Sequence, residues 1–430
     1  MDYRKLLGLA LLIGAAATSA SAQTFSNFGT FDAFPGYSRG RNVSVLERDR
    51  PEYRAAGLRS GGFLVYPRID VAVSHTDNVY ATDTNKIGDT YTDVTPQVSA
   101  ASDWSRHSLS GAAGYKGRRF LDEKSENQDG WFVNGLGRLD VIGDSSVQGG
   151  FDVKKEYVDR TDSGSPINAA TRVPVVTGGA MVRGISQVGR RRIIVQGNYV
   201  KQNFDDVASR LGGTIDQDNR DLTGWRAVGR GEYAVSPSAA LFGQINYNTY
   251  NYRTVPGVVS RDSDEWNLIG GANFDLTALA RGEVNIGYVK RKYDAATFND
   301  IKGLTTSANI EYFLTPLTTI TGALGRGVQD STVAGSGGYV ASSATLRVDH
   351  ELLRNLLLNA NVRFQKDDYK GIERNDKIRN FNLGARYLMN RAVGVAANVD
   401  FGKRNSSGAA SLASQNYDYT RFMVTLVLQR

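Results

Sequence analysis

From residue 62 to the end of the chain, apolar and polar side chains alternate with a period of two, in one segment after another. In an extended chain successive side chains point to opposite faces, so each such segment reads as a strand with one apolar and one wet face. Phe63, Val65, Ile69, Val71 and Val73 share one face, while Tyr66, Arg68, Asp70 and Ser74 share the other. In 355–365 the apolar set is Leu356, Leu358, Ala360, Val362 and Phe364, set against Asn359, Asn361, Arg363 and Gln365. We read about eighteen such segments, from 62–76 to 416–430. Each covers the ~9–11 residues that a tilted strand needs to cross a bilayer. The connections alternate in length: short at 104–105, 144 and 189, long and polar at 77–88, 160–170 and 206–218. Short periplasmic turns and longer outside loops are the mark of outer-membrane barrels. The expected fold class is therefore all-β: one transmembrane, up-and-down antiparallel β-barrel of about 18 strands spanning 61–430.

Composition agrees. The 430 residues hold no cysteine, 47 glycines, 21 tyrosines and a net charge of +7. A mean hydropathy of −0.34 is too polar for a bundle of membrane helices. Without cysteine there is no disulfide framework and no thiolate metal site. Basic residues are scattered among acids rather than gathered on a face with aromatics, which argues against nucleic acid as a partner. Aromatics near strand ends on the apolar face (Trp104, Trp131, Trp225, Tyr233, Tyr288, Tyr387, Phe422) fit girdles at the two membrane interfaces. Pro67, Pro96 and Pro174 interrupt the pattern; each deletes a ladder hydrogen bond, so bulges or strand ends are expected there.

Residues 1–22 have the form of a secretory signal: Arg4 and Lys5, an apolar core from Leu6 to Ala17, and a small-residue cleavage site at Ala20-Ser21-Ala22. Residues 23–60 lack strand alternation and form a periplasmic N-terminal segment, expected to be loose as termini commonly are. The alternative is a tail that plugs the pore or docks a partner.

No catalytic constellation is present. His75, His107 and His350 lie in or beside different strands without metal-ligand spacing, and no nucleophile elbow, phosphate loop or dinucleotide fingerprint occurs. No catalytic residue, metal or cofactor is expected. The informative surface is the inward face. Alternation places Arg226, Arg230, Glu232, Asn246, Asn248, Asn285, Arg347, Asp349, Asn361, Arg363, Arg386 and Asp400 on it. A ring of one sign would argue an ion-selective pore. This mixture of both charges with amides is instead able to hydrogen-bond sugar hydroxyls, or to form a salt-bridged wet lumen without a ligand.

The stretch 48–120 also resembles a known family. Arg50-Pro51-Glu52-Tyr53, Gly57, Gly62-Phe63, Tyr66-Pro67, Asp77-Asn78-Val79-Tyr80, Pro96 and the run from Ser102 to His107 are similar to the head of the outer-membrane barrels called β-barrel porin 2. That family includes the exopolysaccharide-operon barrels of the EpsL kind. The resemblance implies a pore that exports a secreted polysaccharide, an exopolysaccharide or holdfast-like glycan, across the outer membrane of a Gram-negative cell. Its implied partners are outer-membrane lipid, the polysaccharide chain and periplasmic polysaccharide-export proteins. Two alternatives stand beside export: a general diffusion porin for small solutes, and a structural surface barrel with an occluded lumen.

Overall fold

A computed structural model describes residues 38–276, 279–411 and 415–430. The expected signal, 1–22, lies outside the described residues. Eighteen long strands follow one another: β1 Phe63–Thr76, β2 Asp89–Ser102, β3 Ser108–Phe120, β4 Gln128–Asp140, β5 Ser146–Tyr157, β6 Pro174–Val188, β7 Arg191–Phe204, β8 Leu222–Ser236 and β9 Ala239–Tyr252. The second half comprises β10 Ser263–Leu276, β11 Ala280–Tyr293, β12 Ile301–Thr315, β13 Thr318–Asp330, β14 Gly338–Leu353, β15 Leu356–Tyr369, β16 Asn375–Leu388, β17 Val393–Ser407 and β18 Tyr417–Gln429. Each pairs antiparallel with the next, and β1 pairs with β18. The sheet is a closed barrel, as the alternation predicts, and closure removes the free sheet edges that lipid does not tolerate.

The seam between β1 and β18 explains one of the prolines. β18 pairs with β1 only from Arg68 to Thr76. The Arg430 N–H donates to the Pro67 carbonyl, so the missing Pro67 donor faces the point where β18 has run out. Below it a three-residue strand, Leu58–Ser60, takes the vacant place beside Phe63 to Val65. It is joined to β1 by a tight turn at Gly61, whose φ of 57° favours glycine. At Pro96 the β2–β3 ladder skips Thr95 and Pro96 and resumes in the same register. Pro174 opens β6, where no inner ladder bond is lost. The expected bulges are thus absent at Pro67 and Pro96. Register shifts occur instead at Ala234/Ser236, Phe313/Thr315 and Glu351/Leu353, each beside a short turn.

Tight turns such as 189–190, 237–238 and 316–317 lie at one end, and 77–88, 121–127, 158–173, 205–221, 253–262 and 294–300 at the other. By that asymmetry the short-turn end is periplasmic and the long-loop end extracellular. The outer face is apolar and open to lipid; Trp225, Trp266, Tyr288 and Phe422 are all exposed. Among the described residues there is no central apolar core. Small clusters sit at the extracellular rim instead. One joins Val79, Tyr91, Phe120 and Tyr80; another joins Ala169, Val173 and Val207 with Val158, Phe204 and Ile215. They fold the loops inward.

Candidate functional site

Because i and i+2 share a face of a strand, a cation-x-acid triplet in the sequence becomes an ion pair on the inner wall. Arg68–Asp70 (2.8 Å), Arg138–Asp140 (2.7 Å), Lys154–Glu156 (2.6 Å), Arg230–Glu232 (2.7 Å) and Arg347–Asp349 (2.8 Å) all form this way. Arg374–Asp376 repeats it at the start of β16. Other pairs run across strands. Arg230 also reaches Glu283 at 2.6 Å, Arg421 reaches Asp400 at 3.1 Å, and Arg118 reaches Asp93 at 2.7 Å. Arg291, almost fully buried, is shared between Glu265 at 2.8 Å and Asp330. Enclosed charge is costly unless paired, and these side chains are paired within the wall.

Strand register puts all twelve sequence-predicted residues on the inner face, but not in one place. Arg226, Arg230, Glu232, Asn246 and Asn248 lie together on β8 and β9, with Asn285 on nearby β11. Arg347, Asp349, Asn361, Arg363, Arg386 and Asp400 lie on β14–β17. In the first group Asn248 Nδ2 donates to Glu265 at 2.8 Å and Gln244 Nε2 donates to Asn246 at 2.8 Å. In the second, Arg363 donates to Gln365 at 2.7 Å and Asn382 donates to Asp400 at 2.6 Å. Asn248 Oδ1 and Asn361 Oδ1 accept from no protein donor. The two groups are separate polar tracks along the wall rather than a single pocket.

What the alternation did not reveal is loop 158–173, between β5 and β6. It crosses the extracellular mouth. The Thr161 carbonyl accepts from Arg404 Nη1 of β17 at 2.9 Å. Gly164 packs against the β13–β14 loop so closely that a Cβ there would sit 2.6 Å from Thr332 Oγ1. In an eighteen-strand wall that contact is nearly opposite β5. Three features hold the loop. Glu126, wholly buried in the β3–β4 loop, takes Arg160 at 2.5 Å and Arg172 at 2.8 Å. Backbone bonds tie it to loop 205–221: Ala170 N–H to the Ala208 carbonyl and Arg210 N–H to the Asn168 carbonyl, both 2.8 Å. The apolar cluster around Val173 and Val207 does the rest.

Asp159 stands on this loop open to lumen water, 3.6 Å from Arg172. Enclosure by the wall works to raise its pKa, but Arg172, the Thr161 N–H, Arg421 and Arg118 outweigh it and hold the carboxyl at about 2. Loop 158–173 thus sets an ionised Asp159 among arginines at the extracellular mouth.

The periplasmic mouth carries a second obstruction. Residues 38–54 do not hang loose as expected for a terminus; they run along the inner wall as a strap. Asn42 Nδ2 donates to Asp275 at 2.5 Å, Val45 N–H donates to Thr319 Oγ1 at 3.0 Å, Arg281 pairs with Glu47 at 2.6 Å, and Arg50 pairs with Glu351. Asp275, Arg281, Thr319 and Glu351 all face inward near the short turns. Farther on, Arg354 binds Glu52 at 2.8 Å and Gln429 donates to the Tyr53 carbonyl at 3.4 Å. The signal was present in the cluster Glu47 to Arg54, whose charges have complementary partners on β11, on β14 and in the β14–β15 turn; only the fold brings them together.

The three histidines stay apart. His75 and His350 each share a 3.0 Å hydrogen bond with a threonine, Thr90 and Thr318, and the His107 N–H donates to Asp140. The acids that come closest to a cation-sized group, Asp206, Asp216 and Asp218, sit in loop 205–221 away from any histidine.

Comparisons with known proteins fit this geometry. The model of the family described as "Putative beta-barrel porin 2" matches residues 50–430. No curated protein matches the chain. Solved structures similar to it include the outer membrane protein OpdK from Pseudomonas aeruginosa, at 12% identity and a TM-score of 0.43 over 85% of this chain and 99% of that one. OccK2 (OpdF) from the same organism gives 12% and 0.47 over 85% and 98%. A BenF-like porin from Pseudomonas fluorescens Pf-5 gives 12% and 0.46 over 85% and 99%.

Proposed function

The chain belongs to that porin family and lies in the outer membrane, and we propose that it is a passive channel for small polar solutes, with its aperture set by loop 158–173. The observation that carries this reading is the loop's span of the extracellular mouth, from β5 to Arg404 on β17 and Thr332 beyond β13. A barrel of about 16–18 strands otherwise leaves a wide aqueous channel. Inside, cations and acids alternate in paired tracks with amides between them, so neither charge sign dominates. A solute exchanges part of its hydration shell for weak, replaceable hydrogen bonds, and passage is governed by size more than by charge.

Polysaccharide export is the second reading. It draws on the resemblance of 48–120 to exopolysaccharide-operon barrels and on the mixed amide and charged lining, of which Asn285, Arg363 and Arg386 are only partly covered. Against it stand two obstructions, loop 158–173 and strap 38–54, in the path of a long polymer. Liposome swelling with a series from monosaccharide to oligosaccharide tests the first reading: rapid entry of the smallest and exclusion of the longest is expected. A gene deletion separates the two. Reduced small-solute uptake with unchanged surface glycan supports the channel, whereas lost glycan with normal uptake overturns it in favour of export.

A further inference from the structure

The outer face carries a second charged surface, and it is built the opposite way from the inner one. At the extracellular ends of β11, β12 and β15–β17, outward-facing cations stand directly across from one another. Lys290 is registered opposite Lys302, Lys366 opposite Lys377, and Arg379 opposite Lys403. All six are exposed. Among the described residues, no carboxylate pairs with any of them. The acids facing them from neighbouring strands are engaged elsewhere: Asp418, across from Lys403, pairs with Lys86 at 2.7 Å, and Asp368 pairs with Lys370. Like charges directly opposite on one face of a sheet destabilise it. Two such pairs stand side by side on β15–β17 and a third on β11–β12, two strands away, and together they call for anionic charge from outside the chain.

Their level identifies the source. Two residues nearer mid-membrane on the same face come Tyr288 below Lys290, Phe364 below Lys366, Phe381 below Arg379 and Phe401 below Lys403, all exposed. An apolar, aromatic-bearing belt thus ends where the cations begin, so the cations stand at headgroup height in the outer leaflet. The opposite arc differs. On β3–β5, Arg119 is neutralised by Asp129 at 2.5 Å.

We propose that the outer rim of β11–β17 is a docking surface for phosphorylated lipid, binding the headgroup phosphates of lipid A in the outer leaflet. The paired cations clamp a phosphate between strands, and the aromatic belt beneath packs on the acyl chains. The proposal goes beyond solute passage and does not depend on it.

The test uses the folded full-length barrel in zwitterionic micelles, titrated with bisphosphorylated lipid A and, in parallel, with lipid A stripped of phosphate, by native mass spectrometry and thermal melting. Wild-type protein is expected to retain the phosphorylated lipid at least about tenfold more tightly, given several Lys/Arg at an anionic surface, and to melt higher with it. K366Q/K377Q/R379Q/K403Q is expected to lose that preference, while K155Q/K201Q on the opposite arc keeps it. Equal retention of both lipids by the wild type, or an undiminished preference in the fourfold variant, overturns the proposal. So does full competition by inorganic phosphate alone, which would assign the surface to a free anion. The two-lipid comparison needs no variant and so stands whatever the variants' folding.

Discussion

The inner and outer walls of this barrel carry charge under opposite rules. Inside, the motif is cation-x-acid: Arg68–Asp70, Arg138–Asp140, Arg230–Glu232 and Arg347–Asp349 each close on themselves along one strand. Outside, near the extracellular rim, it is cation-x-cation: Lys290 with Lys292 and Lys377 with Arg379, each member of the second pair facing another cation across the sheet. The same period of two generates both. What differs is the solvent. A partly enclosed lumen penalises net charge, so the chain supplies its own counterions. At a membrane surface counterions come with the lipid, and the chain leaves its cations uncommitted. Charge inside is thus structural first and available to solute second; charge outside is a surface for a partner.

The comparison predicts a graded set of responses. The largest falls where inner charges are most buried. Glu126→Ala leaves Arg160 and Arg172 without their shared acid, and breaking a buried pair costs about 3–5 kcal/mol. Loop 158–173 should come free of its anchor, becoming cleavable by trypsin after Arg160 or Arg172 in the folded barrel. A loop that stays protected would show that its ties to 205–221 suffice. Next, Arg230→Met strands Glu283 and leaves Glu232 only its looser pairing with Arg192 at 3.4 Å; a loss of about 3 kcal/mol is expected in denaturant unfolding from micelles. A change under ~1 kcal/mol would remove the contrast with the outer wall.

Asp159 gives an intermediate effect on selectivity. Its folded-state pKa is depressed, so its favourable pairing is fully present above the ordinary carboxyl value of 3.8 and is lost as pH falls through about 2. Reversal potentials should stay constant from pH 7 to about 3 and shift toward anions as the pH falls through about 2. Asp159→Asn should produce that anion shift at every pH. The smallest effect belongs to the outer wall. Lys377→Gln removes one like-charge contact and should stabilise the barrel in neutral detergent by about 0.2–1 kcal/mol. Destabilisation would mean that the lysines already have partners in the protein.

The strands and their facing were legible because period two is a local property. Arg347 and Asp349 could be placed on the wet side from their neighbours alone, and each expected strand lies within a few residues of the observed one. The loop across the mouth was not legible. Nothing in 158–173 signals that Thr161 will meet Arg404, because that contact spans 243 positions and exists only once the barrel closes. The strap is a similar case: Arg50 and Glu351 are an ordinary surface cation and acid until the wall curves round to join them. Pro67 needed the fold too. It seemed to break a strand, yet its lost donor faces the place where β18 has ended. The outer cations were visible as Lys290-x-Lys292 and Lys377-x-Arg379, but only register shows that Lys366 faces Lys377.

Single-channel recording of the wild-type barrel beside Glu126→Ala tests the central claim most directly. An aperture set by loop 158–173 predicts a small, steady conductance in the wild type and a larger, noisier one when the loop's anchor is removed. Equal currents in the two proteins, or none in either, would contradict it.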